Sequence, residues 1–128
     1  AQTSPEFVIP GTSFTTVTVN RNYRTALHTD RGDLKEGFGV LTAIRTGHFE
    51  GGILCFPKFK VGIDIQPYSV LLADVHEWHA NTEYVPLRQS MWERISLVFY
   101  YREKMMECGT PLEELERAKN MRGSLDKG

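Results

Sequence analysis

Apolar and polar residues alternate along most of this chain with the two-residue period of strands that have one face buried. Phe14-Thr15-Thr16-Val17-Thr18-Val19 is alternating and rich in β-branched residues, which predicts a strand. Asn20-Arg21-Asn22 predicts a turn, Tyr23 to Thr29 a second strand, and Asp30 to Gly37 a polar loop. Gly39 to Arg45 reads as a third strand and Thr46-Gly47 as a tight turn. His48 to Phe56 is a fourth, interrupted by Gly51 and Gly52, since glycine inside a strand marks a bulge or a close backbone approach. Lys60 to Ile65 is a short fifth, and Ser69 to Asp74 is a nearly continuous apolar run suited to a buried strand. A loop through Pro86 to Ser90 leads to a long final strand at Glu93 to Tyr101. Only the tail has helical spacing. Thr110-Pro111-Leu112-Glu113 is a capping box with proline at the first helical position, and Leu112, Leu115 and Ala118 or Lys119 follow in phase. A helix is predicted at about 111–121. Ala1 to Pro5 reads as a loose arm.

Many short strands separated by turn signals predict an all-β sandwich or barrel. Their number and spacing fit a double-sheet jelly roll, the architecture that includes cupins, here with a C-terminal helix. The 128 residues suffice for one domain with one core, residues 1–128. The first residue is Ala1, not methionine, so a fragment of a longer protein is expected. No apolar run is long enough to span a bilayer and no signal peptide is visible, so no membrane partner is expected. The net charge of −1 does not advertise a nucleic-acid surface, although a local basic patch is compatible with a neutral total. Cys55 sits in an apolar run and Cys108 in a polar turn. Two cysteines in such different settings argue against a disulfide framework and favour an intracellular location. Nothing in the sequence bears on oligomeric state.

The candidate chemistry lies at the end of the second predicted strand. In a strand His28 and Asp30 share a face and can reach one metal. A third ligand is available from Asp74-Val75-His76-Glu77-Trp78-His79-Ala80-Asn81, where His76 and His79 compete. His79 is favoured, because it follows the apolar strand and precedes Ala80 and Asn81; His76 then serves as a hydrogen-bonding neighbour. His76 and His79 do not read as a helical zinc pair, because their flanks have no amphipathic period. His48 falls in a hairpin with no chemical role. Two histidines and a carboxylate with open positions form the facial triad of non-haem Fe(II) oxygenases. Oxygenases of this kind that use 2-oxoglutarate and dioxygen need a cation for the far carboxylate. Arg94 and Ser96 share a face at the start of the last strand and can meet it together.

Taken together, His28-x-Asp30, Phe49-x-Gly51-Gly52-x-Leu54, His79 and Arg94-x-Ser96 resemble the Fe(II)/2-oxoglutarate dioxygenase superfamily. More narrowly, the block from Asn20 through His28, Asp30 and Gly32 to Asp33, with Trp78-His79-Ala80-Asn81-Thr82, resembles its TET/JBP branch. That branch holds methylcytosine dioxygenases and the thymine hydroxylases of the J-binding proteins. The resemblance runs from about Thr16 to Arg102. It implies a double-stranded β-helix core with His28, Asp30 and His79 on Fe(II), and Arg94, Ser96 and Arg24 toward 2-oxoglutarate, Arg24 being in phase with His28. It implies DNA as partner, with the target base flipped out for oxidation of its 5-methyl group. Asp33 matches an acidic residue that touches the flipped base in TET-like enzymes, and Asn81 is a second candidate contact. A carboxylate accepts from the exocyclic amine that cytosine carries and thymine lacks, which favours 5-methylcytosine, with thymine as the other candidate. Two departures from the family are the near absence of helices before the first core strand and of a basic recognition segment.

The competing readings are an Fe(II)/2-oxoglutarate hydroxylase of a protein or small molecule, and a jelly-roll binding module without catalysis. Chemistry on DNA implies a nuclear location if the source is eukaryotic.

Overall fold

The computed structural model of the chain describes residues 3–88 and 91–125. Its two longest strands are β2 (Gly39–Thr46) and β9 (Glu93–Tyr100), paired antiparallel at the centre of a sheet. β1 (Thr16–Arg21) flanks β9 and β6 (Val70–Ala73) flanks β2, giving the order β1-β9-β2-β6. A second layer contains β4 (Leu54–Phe56) between β5 (Val61–Ile63) and β7 (Ala80–Asn81), and the pair β3 (Phe49–Gly51) with β8 (Tyr84–Pro86). The core forms where the layers meet: Ala43 of β2, Leu54 and Phe56 of β4, Ile65, and Ala73 of β6 are buried together. The chain is mainly β, with one helix, α1 (Pro111–Leu125). No described helix is long and apolar enough to cross a membrane.

Register decides which residues face the second layer. Asn20, Ser96 and Ala43 form one cross-strand row, and Thr18, Val98 and Leu41 the next. The alternate rows, Val19–Leu97–Thr42–Val70 and Val17–Phe99–Val40–Leu72, face outward. The apolar run at 69–74, expected to be buried, is therefore an edge strand: Leu71 and Ala73 turn inward, while Val70 and Leu72 are 64% and 63% exposed. Continuous hydrophobicity misled here because the outer sheet face is itself apolar.

Two further strands differ from expectation. The run 48–56 is two strands in two different sheet pairings, because Gly51 and Gly52 take positive φ (86° and 67°) and turn the chain between them. The run 23–29 forms no regular strand; it contributes one isolated bridge, His28 to His79, while Asn22 turns out of β1 with φ 51°. Tyr84–Pro86 is a strand rather than the start of the predicted loop, and that loop's Gln89 and Ser90 lie outside the described residues, as do Ala1 and Gln2 of the expected arm. Pro5–Phe7 makes a 3-10 turn.

The capping box forms as predicted: the Thr110 backbone N–H donates to Glu113 Oε2 at 2.7 Å, and the Glu113 N–H to Thr110 Oγ1 at 3.4 Å. The helix continues past 121 to Leu125, carrying Gly123 at the usual cost of about 1 kcal/mol. Leu112 and Leu115 stay exposed, so the helix depends on its cap more than on packing. Thr110→Ala should destabilise the first turn by about 1 kcal/mol. Amide exchange should then accelerate roughly fivefold at the start of α1 and stay unchanged in β2 and β9; equal acceleration in both places would contradict a locally held helix.

Candidate metal centre and its cavity

The segment from Thr25 to Asp30 runs antiparallel to Val75–Asn81 without regular pairing. The Asn81 N–H donates to Thr25 O, His28 and His79 exchange two backbone hydrogen bonds of 3.0 Å, and the Asp30 N–H donates to Val75 O. These bonds bring His28, Asp30 and His79 together, with ligand atoms all within 4.8 Å of one another. His28 Nε2 lies 3.1 Å and His79 Nε2 3.3 Å from Asp30 Oδ1. Each ring is tied at its other nitrogen to the carbonyl two residues earlier, His28 Nδ1 to Ala26 O and His79 Nδ1 to Glu77 O, both at 2.7 Å. A Nδ1–H donating to a carbonyl leaves the Nε2 lone pair free, the form that ligates a metal. Two imidazole nitrogens and a carboxylate oxygen make a donor set that suits Fe(II).

Electrostatics tie the three together. Burial pushes the Asp30 carboxyl up, but the hydrogen bonds and charges of His79 and His28 outweigh it and hold the group below its usual value. Burial likewise pushes His79 down, and its bonds to Asp30 and the Glu77 carbonyl, with the charges of Asp30 and Asp33, more than offset this and raise it.

A cavity of about 510 Å³ opens beside this group. The inward residues of β9 line it in strict alternation (Arg94, Ser96, Val98, Tyr100), joined by Thr18 and Asn20 of β1, Leu41 of β2, Leu54 of β4, Ile65 and Val75. Arg94 is only 4% exposed. Its backbone N–H donates to Asn22 Oδ1 at 2.7 Å and its Nη1 to the Tyr84 hydroxyl at 2.9 Å. No carboxylate among the described residues pairs with it. A buried cation without a counter-ion is costly, and an anionic ligand in the cavity relieves that cost.

Of the remaining predicted residues, Ser96 and Asp33 line the cavity. Asn81 does too, but its amide oxygen accepts from Thr25 Oγ1 at 2.8 Å and so closes the ladder. Arg24 is exposed and is not among the cavity-lining residues. Its expected phase with His28 fails because Tyr23 and Thr25 face the cavity and the chain slips by one position at Ala26-Leu27 before His28. His76 bonds Asp74 at 2.9 Å and lies outside the cavity lining. His48 is exposed beside the β2–β3 turn. Tyr100 was missed, although the alternation from Arg94 carries the signal. Tyr84 has no signal of its own, because only folding brings it to Arg94.

Asp33 is 7% exposed, and its Oδ2 has no hydrogen-bond partner among the described residues. Burial first, then the charge of Asp30, push its carboxyl up from 3.8 to about 6 against the pull of His76, Arg102 and His79. A carboxyl raised in the fold contributes full stability below its unfolded pKa and loses it as pH rises through the folded one. In the metal-free protein, Asp33→Asn should therefore gain on the parent by about 1–2 kcal/mol between pH 4 and pH 7.5. Urea unfolding at both pH values measures the gap; a gap that does not change with pH would refute the raised pKa.

The Tet_JBP family, described as the oxygenase domain of the 2OGFeDO superfamily, matches residues 1–103. The chain is 41% identical over 116 residues to the bifunctional helicase and thymine dioxygenase JBP2 of Leishmania tarentolae, covering 91% of the chain and 10% of that relative. It is 43% identical over 100 residues to the thymine dioxygenase JBP1 of Trypanosoma brucei brucei, covering 77% of the chain and 12% of the relative. The chain thus spans about a tenth of the length of these relatives. A solved structure of NgTET1 in complex with 5mC DNA superposes with a TM-score of 0.63 at 16% identity, over 84% of this chain and 42% of that one. That likeness extends to the fold, a cupin-like double-stranded β-helix.

Proposed function

Because the chain belongs to the Tet_JBP family, the oxygenase domain of the 2OGFeDO superfamily, we propose that it is an Fe(II)- and 2-oxoglutarate-dependent dioxygenase that hydroxylates the 5-methyl group of a pyrimidine base in DNA. One observation carries the reading: a single cavity holds a His-Asp-His group and a buried arginine with no carboxylate partner among the described residues. His28, Asp30 and His79 would hold the metal. Arg94, with Ser96 beside it on β9, would hold the far carboxylate of 2-oxoglutarate. When bound, iron supplies the means to couple oxidation of 2-oxoglutarate by dioxygen, to succinate and carbon dioxide, to insertion of the second oxygen atom into a methyl C–H bond.

The protein's own residues orient and exclude. The Ala26 and Glu77 carbonyls fix both imidazoles in one tautomer. Leu41, Leu54, Ile65, Val75 and Val98 give the cavity apolar walls that keep water from the reacting carbon. A methyl group in duplex DNA becomes reachable only when its base leaves the stack, at a few kcal/mol. Asp33 would then accept a hydrogen bond from the flipped base. It does not choose between bases, since 5-methylcytosine offers an exocyclic amine and thymine its ring N3–H. Thymine is the better supported substrate, because the relatives at 41% and 43% identity are named thymine dioxygenases. In a eukaryotic source the enzyme would work in the nucleus.

Incubation with Fe(II), 2-oxoglutarate, ascorbate and duplex DNA containing both thymine and 5-methylcytosine should yield 5-hydroxymethyluracil by nucleoside mass spectrometry. Hydroxymethylcytosine alone would move the substrate to 5-methylcytosine, and no oxidised base from a folded, metal-loaded sample would sink the DNA reading. The ligand assignment has its own check by Mn(II) calorimetry. His79→Ala should weaken binding by at least about 100-fold, beyond the usual cost of losing a neighbour of a ligand. His76→Ala should change it less than about threefold, and the reverse order would exchange the two roles.

A further inference from the structure

In the Phe49-x-Gly51-Gly52-x-Leu54 motif Leu54 lines the cavity, while the two glycines lie against Tyr84 and the residue before it. Gly51 faces Tyr84 across the β3–β8 pair, and a Cβ on Gly51 would lie 1.8 Å from Glu83 O. A Cβ on Gly52 would meet the Tyr84 ring at 2.3 Å. Both glycines also carry positive φ, so no other residue fits without strain. The Glu83 carbonyl fills the space at Gly51 and the Tyr84 ring the space at Gly52; that ring stacks on Trp92 at 5.2 Å and meets Phe49 at 5.7 Å. Its hydroxyl then accepts from Arg94 Nη1 at 2.9 Å and reaches toward Tyr23 O at 3.5 Å. An O–H turned toward a carbonyl presents its lone pairs to the guanidinium, so the bond has a fixed direction.

We propose that Tyr84, its ring seated against Gly52 and clamped by Trp92 and Phe49, is a positioning residue for 2-oxoglutarate: it holds the Arg94 guanidinium in the orientation that receives the far carboxylate. The inference rests on the reading of Arg94 as the co-substrate's partner. Arginine has five donors in a planar fork, and bidentate capture of a carboxylate requires the plane to be set in advance. Among the described residues Tyr84 provides the side-chain hydrogen bond that sets it. The neutral hydroxyl fixes the plane without neutralising the charge, which a carboxylate in its place would do.

Tyr84→Phe keeps the ring and its packing and removes only the hydroxyl. Calorimetry on the Mn(II)-loaded protein should show 2-oxoglutarate bound about five- to tenfold more weakly. Oxalate, which chelates the metal but has no distant carboxylate, should bind parent and variant alike. In turnover the KM for 2-oxoglutarate should rise by the same factor, while kcat at saturation stays within about twofold. Equal weakening of oxalate would mean general damage to the site and overturn the proposal. Unchanged 2-oxoglutarate affinity in Tyr84→Phe, with a large loss in Arg94→Lys, would overturn it while leaving the Arg94 reading intact. No loss in Arg94→Lys would overturn both.

Discussion

The site depends on the two backbone hydrogen bonds between His28 and His79. They join two segments far apart in sequence, neither of which is a regular strand at that point, and they set the separation of the imidazoles before any side chain acts. Each ring is then aimed by the same device, a bond from Nδ1 to the carbonyl two residues earlier. The Asp30 N–H bond to Val75 O carries the ladder one step further and brings the carboxylate between the rings. The three donor atoms are thus placed by main-chain geometry, with His79 buried. Side chains supported in this way are held to the tolerance that a metal site would demand.

The cavity beyond is electrically divided. Asp30 and Asp33 put two carboxyl groups at one end, and burial together with the charge of Asp30 pushes the Asp33 carboxyl up to about 6. Arg94 puts a cation with no carboxylate partner among the described residues in the wall formed by β9. Arg45, directly opposite Arg94 in the β2–β9 register, would add a like charge. It is neutralised instead by Asp64 at 2.9 Å and lies over the Phe49 ring at 4.5 Å. Among the described residues the arrangement leaves Arg94 without a carboxylate partner at one side of the cavity and two carboxyl groups at the other.

Much of this was legible in the sequence because it follows from period two. Alternation gave β1, β2 and β9, and the residues in phase with Arg94 are the ones that line the cavity. The same rule failed where the backbone leaves regular geometry. Arg24 was placed in phase with His28 on a strand that does not exist, since the chain slips between Thr25 and His28. The run at 48–56 divided because its glycines turn rather than bulge. The apolar run at 69–74 looked buried because hydrophobicity does not report which of two faces is covered. Tyr84 could not be found from local pattern at all, because its meaning lies in a contact with Arg94 that only the folded topology creates.

The backbone exceptions share a destination. Asn22 adopts φ 51°, and in doing so offers its side-chain oxygen to the Arg94 backbone N–H. Gly51 and Gly52 adopt φ 86° and 67°, and in doing so make room for the Glu83 carbonyl and for the Tyr84 ring, whose hydroxyl holds the Arg94 side chain. One irregularity fixes where the arginine's main chain lies, and the other fixes how its guanidinium is turned. Departures from regular strand geometry cost stability and persist where the surroundings over-determine them. Here they converge from opposite sheet layers on one buried cation, so the geometry that weakens the strands is the geometry that aims the charge.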